Sequence, residues 1–325
     1  MSDSSTAQPD IVAFVRDGEI WLADGNVVLE AQGHAFKVYQ GLLAHNSEVF
    51  RDLFSLPQPT SPDAYDGCPI VHLTDHPDEL RHLLHALFFA QSRHGDDERL
   101  DFSIVASLIR LSHKYQIDHI RNAYLSRMRS CFPTSLETWD AVNRDLGSPV
   151  MEFCRKDAIT AVNVARLTET DSMLPSALLT CCLMETECIL NGVRRIDGTL
   201  DRLSPANIIM CLDARQTLLH KAFSTRMEIL LPLAASPQCN FDQCRRMLQT
   251  VQMMHLHTRP KHLVRDVFSS SEGLISLVQT HEGVCAVCAD TWYKAEEQAR
   301  RQLWIDLPRI LGIGVPAGWP RELPM

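Results

Sequence analysis

Two pairs of cysteines carry the clearest chemical signal in the sequence. Cys239 and Cys244 have four residues between them, Cys285 and Cys288 have two, and 40 residues separate the pairs. Such pairs can supply four thiolates to one Zn²⁺, which asks only for a tetrahedron with bonds of about 2.3 Å. The second pair has the tight spacing of a zinc knuckle, and the first is looser but still within the usual spacer. The competing reading is four ordinary buried cysteines, since a free Cys packs as a small hydrophobe. His255 and His257 in MMHLHTRPKH would share one face if that segment were extended, although Met253 and Met254 beside them point to packing. His281, just before Cys285, is a substitute ligand for one cysteine. Cys181, Cys182 and Cys188 lie in the apolar helical run LLTCCLMETECIL and read as core, while Cys68, Cys131, Cys154 and Cys211 are isolated and receive no role.

Motifs for catalysis are missing. The chain has no Gly-x-Ser-x-Gly, no Gly-rich phosphate loop and no His-Glu-x-x-His. Acidic pairs such as Glu185/Glu187 and Glu296/Glu297 fit solvated helix faces, and 40 acids produce some pairs by chance. A metal held by four thiolates would also lack the open position that catalysis requires. The expectation is therefore a chain that is not an enzyme, with zinc in a structural role.

The elements that must position these residues can be read from periodicity. Val27, Leu29 and Ala31 alternate with Val28 and Glu30, as in a strand covered on one face. Gly33 turns the chain, and Phe36 to Tyr39 read as the second strand of a hairpin. Leu42–Leu43 and Ser47–Phe54 read as two short helices, Ser47 capping the second. Ser55–Gly67 is rich in Pro, Ser and Asp and reads as loop, and Pro69–Leu73 as a strand. Leu80, Leu83, Leu84, Leu87 and Phe88 form one helical stripe, with Asp75 and Asp78 expected at its start, where the macrodipole favours acids. After the polar loop Ser92–Glu98, Val105, Leu108, Ile109 and Tyr115 mark another helix, and Ile120, Ala123, Tyr124 and Met128 one more. From Phe132 the pattern is helical and shows no strand, with breaks at Gly147-Ser148-Pro149, Asp197-Gly198 and Pro260.

Bulk properties narrow the function classes. A length of 325 residues suits two domains. A net charge of −9 argues against general binding of nucleic acid or anionic membrane, which needs surplus Lys and Arg. Arg121, Arg127 and Arg129 form a local basic cluster that reads as a solvated helix face. The opening MSDSSTAQPD is polar and lacks an apolar leader core, and no run approaches the roughly 18 apolar residues of a membrane span. The chain is expected to be intracellular, in cytoplasm or nucleus, with reduced thiols.

Hairpin, two short helices, strand and three helices in about 120 residues resembles the order of a BTB/POZ domain. The stretch NVVLEAQGHAFKVYQGLLAHNSEVFRDLF resembles the family signature closely. Phe36 stands at its Phe, Leu42 and Leu43 at its apolar pair, and Ser47 and Phe50 at its Ser-x-x-Phe. LIRLSHKYQIDHIRNAYLSRM resembles the family's closing helices. The division implied is a disordered start over residues 1–11, a BTB/POZ domain over 12–130, and a helical region over 131–325. The fold class is thus an α+β BTB/POZ domain, a short mixed sheet with surrounding helices, followed by a mainly α-helical region. The whole chain is similar to fungal BTB-domain proteins with such helical C-terminal regions, and that likeness favours zinc at the cysteine pairs.

The resemblance implies a homodimer formed through the BTB domain and an adaptor role. Recruitment of a cullin-RING ubiquitin ligase or of transcription factors is implied with it, for a protein client the sequence does not name. There are departures. Asn26 stands where the family often has Asp, Tyr39 where it has His, and Gln40 where it has a basic residue. The family's charged pair thereby becomes two amides, expected to meet in a neutral pocket. Losing only one partner of a buried pair would cost about 3–5 kcal/mol. Two other classes stay open: a metalloenzyme completed by His255, His257 or His281, and a zinc-dependent nucleic-acid-binding regulator. The regulator would use Arg245 and Arg246 after Cys244, with Arg259, Lys261 and Arg265 beyond.

Overall fold

A computed structural model describes residues 14–56, 64–89, 99–145, 147–195, 198–230, 239, 241–256, 267–268, 275–276, 279 and 283–323. Residues 1–11, the loop Ser92–Glu98 and the break at Pro260 lie outside the described residues. The chain divides into two compact units. One runs to Met128 and takes in Pro149–Met151 and 196–198, and the other holds the remainder.

The first unit is α+β. Its sheet holds β1 (Val15–Trp21), β2 (Val27–Ala31), β3 (His34–Val38), β4 (Ala64–Tyr65) and β5 (Cys68–Leu73) in the order β1-β3-β2-β5-β4. The hairpin forms as its sequence dictates. β2 and β3 pair antiparallel from Val27↔Val38 to Ala31↔His34, across Gln32 and Gly33 at φ 48° and 83°. Two left-handed residues give the turn a twist that matches the strands. β1 lies parallel to β3, and β2 parallel to β5. The expectation of a strand covered on one face needs correction. Val27, Leu29 and Ala31 enter the main core, but Val28 is also fully buried, against Ala35 and Cys68 with Phe14, Trp21 and Ile70 packed over them. Among the described residues, the loop expected over Ser55–Gly67 includes a strand, β4, which turns through Asp66 and Gly67 onto β5.

Helices α1 (Gln40–Asn46), α2 (Glu48–Ser55), α3 (Pro77–Phe88), α4 (Phe102–Lys114) and α5 (Asp118–Cys131) complete this part of the chain. Phe36, Leu43, Phe50, Leu80, Leu83, Leu84 and Leu108 are fully buried in one cluster. Burying a side chain of this kind stabilises by about 1.5–3 kcal/mol. Ser47 caps α2 as expected: its Oγ accepts from the Phe50 N–H at 3.1 Å and donates to the Tyr115 carbonyl at 2.5 Å. Asp75 does not serve the macrodipole. It precedes α3, whose first-turn acids are Asp78 and Glu79, and is buried against Lys114 at 2.6 Å and the Tyr115 hydroxyl. The neutral pocket is not found in the form expected. Asn26 is exposed, and its Oδ1 accepts from the backbone N–H of Gln40 at 2.8 Å, so a side chain caps a helix start where two side chains were to meet.

The second unit is mainly helical: α6 (Leu136–Asp145), α7 (Ala158–Leu167), α8 (Leu174–Cys182), α9 (Thr186–Asn191), α10 (Pro205–Leu230), α11 (Asp242–Leu256) and α12 (Ala286–Ile310). Short strands do occur after Phe132, contrary to expectation. Val193–Arg194 pairs antiparallel with Leu200–Asp201, and Gly147–Ser148 and Met151–Glu152 are two residues each. Pairs of two residues leave no period to detect. The far half of α12 is anchored by aromatic packing. Trp304, 1 % exposed, lies 5.5 Å from the Trp139 ring and 4.8 Å from Trp319, and its indole N–H donates to the Thr134 carbonyl. One turn before it, Arg300 binds both Asp140 carboxylate oxygens at 2.7 Å and the Phe268 carbonyl.

Candidate metal centre

The four cysteines singled out by spacing meet in the second unit. Helices α11 and α12 position them in the same way. Cys244 is the third residue of α11 and Cys288 the third of α12, and both are buried. Cys239 and Cys285 stand just before those helices and are half-buried. One helical turn after each inner cysteine comes an apolar residue, Leu248 and Trp292. With Val284, Ala289 and Ile275 they form a satellite core around the sulfurs. So small an apolar cluster provides little folding energy by itself.

All four Sγ atoms lie within 4.8 Å of one another. Cys239 and Cys285 are 3.6 Å apart at sulfur. A tetrahedron with bonds of about 2.3 Å has edges of about 3.8 Å, so this edge already has the required length. The whole set, spread over as much as 4.8 Å, is somewhat looser than that edge. Backbone amides face the sulfurs. Cys285 N–H donates to Cys244 Sγ at 3.2 Å, and Phe241 N–H to Cys239 Sγ at 3.5 Å. Helix N-termini and amide donors both favour thiolate over thiol. The Cys288 amide lowers the Cys285 thiol to about 7, whereas burial pushes the Cys244 thiol up. Four thiolate donors in tetrahedral reach suit zinc, or iron in a sulfur-only site, and not a hard oxygen-seeking cation. The residues present therefore fit a bound metal ion.

Gly283 is a position of the candidate site that spacing did not reveal. Its φ is +75°, and a Cβ there would come 2.5 Å from the Gln243 amide nitrogen. Its carbonyl also accepts from Cys244 Sγ at 3.9 Å. The left-handed turn at Gly283 carries the chain from beside Cys244 into Cys285. The only sequence signal was a Gly two residues before a Cys.

The side chains of the histidine candidates fall outside what the structure describes. His257 and His281 lie outside the described residues, as do Arg259, Lys261 and Arg265; of His255 only its place in α11 is described. Arg245 and Arg246 are exposed on α11. Cys211, given no role from sequence, is fully buried and hydrogen-bonded to Cys181 and Cys182, which lower its thiol while their own are raised. Arg215, one turn after Cys211, donates to the carbonyls of Cys182 at 2.7 Å and Met184 at 2.5 Å and so closes the end of α8. This trio holds α10 against α8 and fits the core reading of Cys181 and Cys182.

Among the described residues no helix is long and apolar enough to cross a membrane. The chain matches no protein-family model, and a search of curated proteins returns no match.

Proposed function

We propose that the chain is a non-enzymatic protein–protein interaction and adaptor protein, with a BTB-type first unit and a second unit organised by one structural zinc. The observation that carries the reading is the closed donor set of Cys239, Cys244, Cys285 and Cys288. Four protein ligands fill the tetrahedral shell of zinc and leave no position for a substrate or an activated water. The order of elements in the first unit supports the BTB assignment. So does the burial of Phe36, Leu43 and Phe50, three positions on which the resemblance rests. Among the described residues β1 is an edge strand, with Val15 63 % exposed. An uncovered edge is a template for pairing with another chain, which supports self-association as a homodimer. The client is a protein, with a cullin or a transcription factor among the partners the resemblance implies. None of the eleven cysteines is joined in a disulfide, in keeping with an intracellular, reducing setting.

The test uses the full chain. Elemental analysis is expected to find one zinc per chain, and sedimentation to find a dimer over a range of concentrations. Cobalt substitution should give the intense sulfur-to-metal charge-transfer bands of a four-thiolate site. A metal-free chain overturns the zinc, and a strictly monomeric chain at high concentration overturns the BTB-type self-association.

A further inference from the structure

The four sulfurs are not equivalent, and their inequality points to chemistry beyond holding a metal. Cys244 and Cys288 are 0 % and 2 % exposed, each tucked into the first turn of its helix. Cys239 and Cys285 are half-buried, so both can be reached from solvent. They belong to different arms, are 46 positions apart in sequence, and face each other at 3.6 Å. A disulfide needs its sulfurs at about 2.05 Å, so a closure of about 1.5 Å would join them. The two reachable thiolates are thus also a pair already at bonding approach.

We propose that Cys239 and Cys285 form an oxidation site: a peroxide links them as a disulfide and the metal is released. The inference rests on the metal reading given above. One of the two thiolates attacks a peroxide oxygen, the O–O bond breaks, and the departing hydroxide takes a proton to leave as water. The resulting sulfenic acid is attacked by the other thiolate; the S–O bond breaks, the S–S bond forms, and a second water leaves after protonation. Two sulfurs give up two electrons in total, and one peroxide is reduced to two waters. Cys244 and Cys288 then remain as two ligands, which cannot close a tetrahedron. The link keeps the two arms tied while the metal is lost. A dithiol reductant with zinc reverses the change.

The experiment uses the full chain, first loaded with zinc and its zinc content measured. Hydrogen peroxide is then added, free zinc is followed with a chromogenic chelator, and cysteine pairing is mapped by mass spectrometry of unreduced peptides. Zinc is expected to fall from one per chain to near zero as a Cys239–Cys285 peptide appears, and to return after dithiol and zinc are added. The variant Cys154→Ser removes an exposed thiol outside the site and is expected to release zinc in the same way. Zinc retained at peroxide levels that oxidise Cys154 overturns the inference and leaves the metal reading standing. So does zinc released with a Cys239–Cys244 or Cys285–Cys288 link, or with no link at all. A chain that takes up no zinc before peroxide is added overturns the metal reading itself, and the two failures are therefore distinct.

Discussion

Single residues carry the strain and charge on which both units depend. Gly283 holds φ +75° beside two cysteines, and its neighbour Gln243 has a flexible side chain that can swing away from an added Cβ. The backbone angle cannot adjust so easily, and a non-Gly residue there costs about 1–3 kcal/mol. Gly283→Ala is expected to weaken zinc binding about tenfold, measured by competition with a chelating dye. Asp17 is a charge held in place by the fold, its carboxylate 2.6 Å from Arg81 and 2.8 Å from the Ile20 N–H. Burial alone would raise its carboxyl. The Arg81 bond and the backbone amides of Ile20 and Glu19 outweigh burial and bring it below 3.8. A carboxyl lowered in the folded state stabilises fully above its unfolded value, and the contribution fades as pH falls through the folded one. Asp17→Asn should therefore cost about 1–3 kcal/mol at neutral pH and markedly less in strong acid. Urea unfolding at about pH 7 and about pH 2 checks this, and an equal loss at both would separate the effect from charge.

Whole elements depend on their ends and on what they pack against. Ser47 joins the start of α2 to the end of α4 through one hydroxyl, 2 % exposed with the rest of its residue. Ser47→Ala removes an N-cap acceptor and strands the Tyr115 carbonyl, so a loss of about 1–2 kcal/mol is expected in denaturant unfolding. Elements such as α3 were legible because five apolar residues repeat at helical spacing, and the hairpin because Gly33 sits between two alternating runs. The burial of Val28 on the second sheet face was not legible. Cys68 and Ile70, which cover it from β5, arrive from a strand about 40 positions further along the sequence. Asp75 misled for the same reason: its partners Lys114 and Tyr115 lie 39 and 40 positions on. The four-cysteine cluster was legible because its pattern is local in each arm, two cysteines at a helix start. The trio of Cys181, Cys182 and Cys211 was not, because it depends on how α10 lies against α8. Asn26 and Gln40 meet, but sequence cannot tell a side-chain partner from a backbone one.

At the scale of the molecule, the proposed metal and the two units make separate claims on stability. Each of the four ligands lies in the second unit. Free zinc a hundredfold above its Kd would stabilise that unit by about 2.7 kcal/mol. Calorimetry with a strong chelator is expected to lower the unfolding transition of the second unit and leave that of the first in place; a single shift of all unfolding would contradict it. Helix α12 gives this local event its reach. Its cysteine end and its Trp304 anchor are sixteen residues apart on one continuous helix, about 24 Å at 1.5 Å per residue. With Trp304 as pivot, a tilt of only about 10° moves the Cys288 end by about 4 Å, more than a tetrahedral edge. A bound ion would thus act as an angular stop. A tolerance of tenths of an ångström at the sulfurs becomes a tolerance of about one degree in the helix axis, and an ion held there would set the direction in which the far end of α12 points.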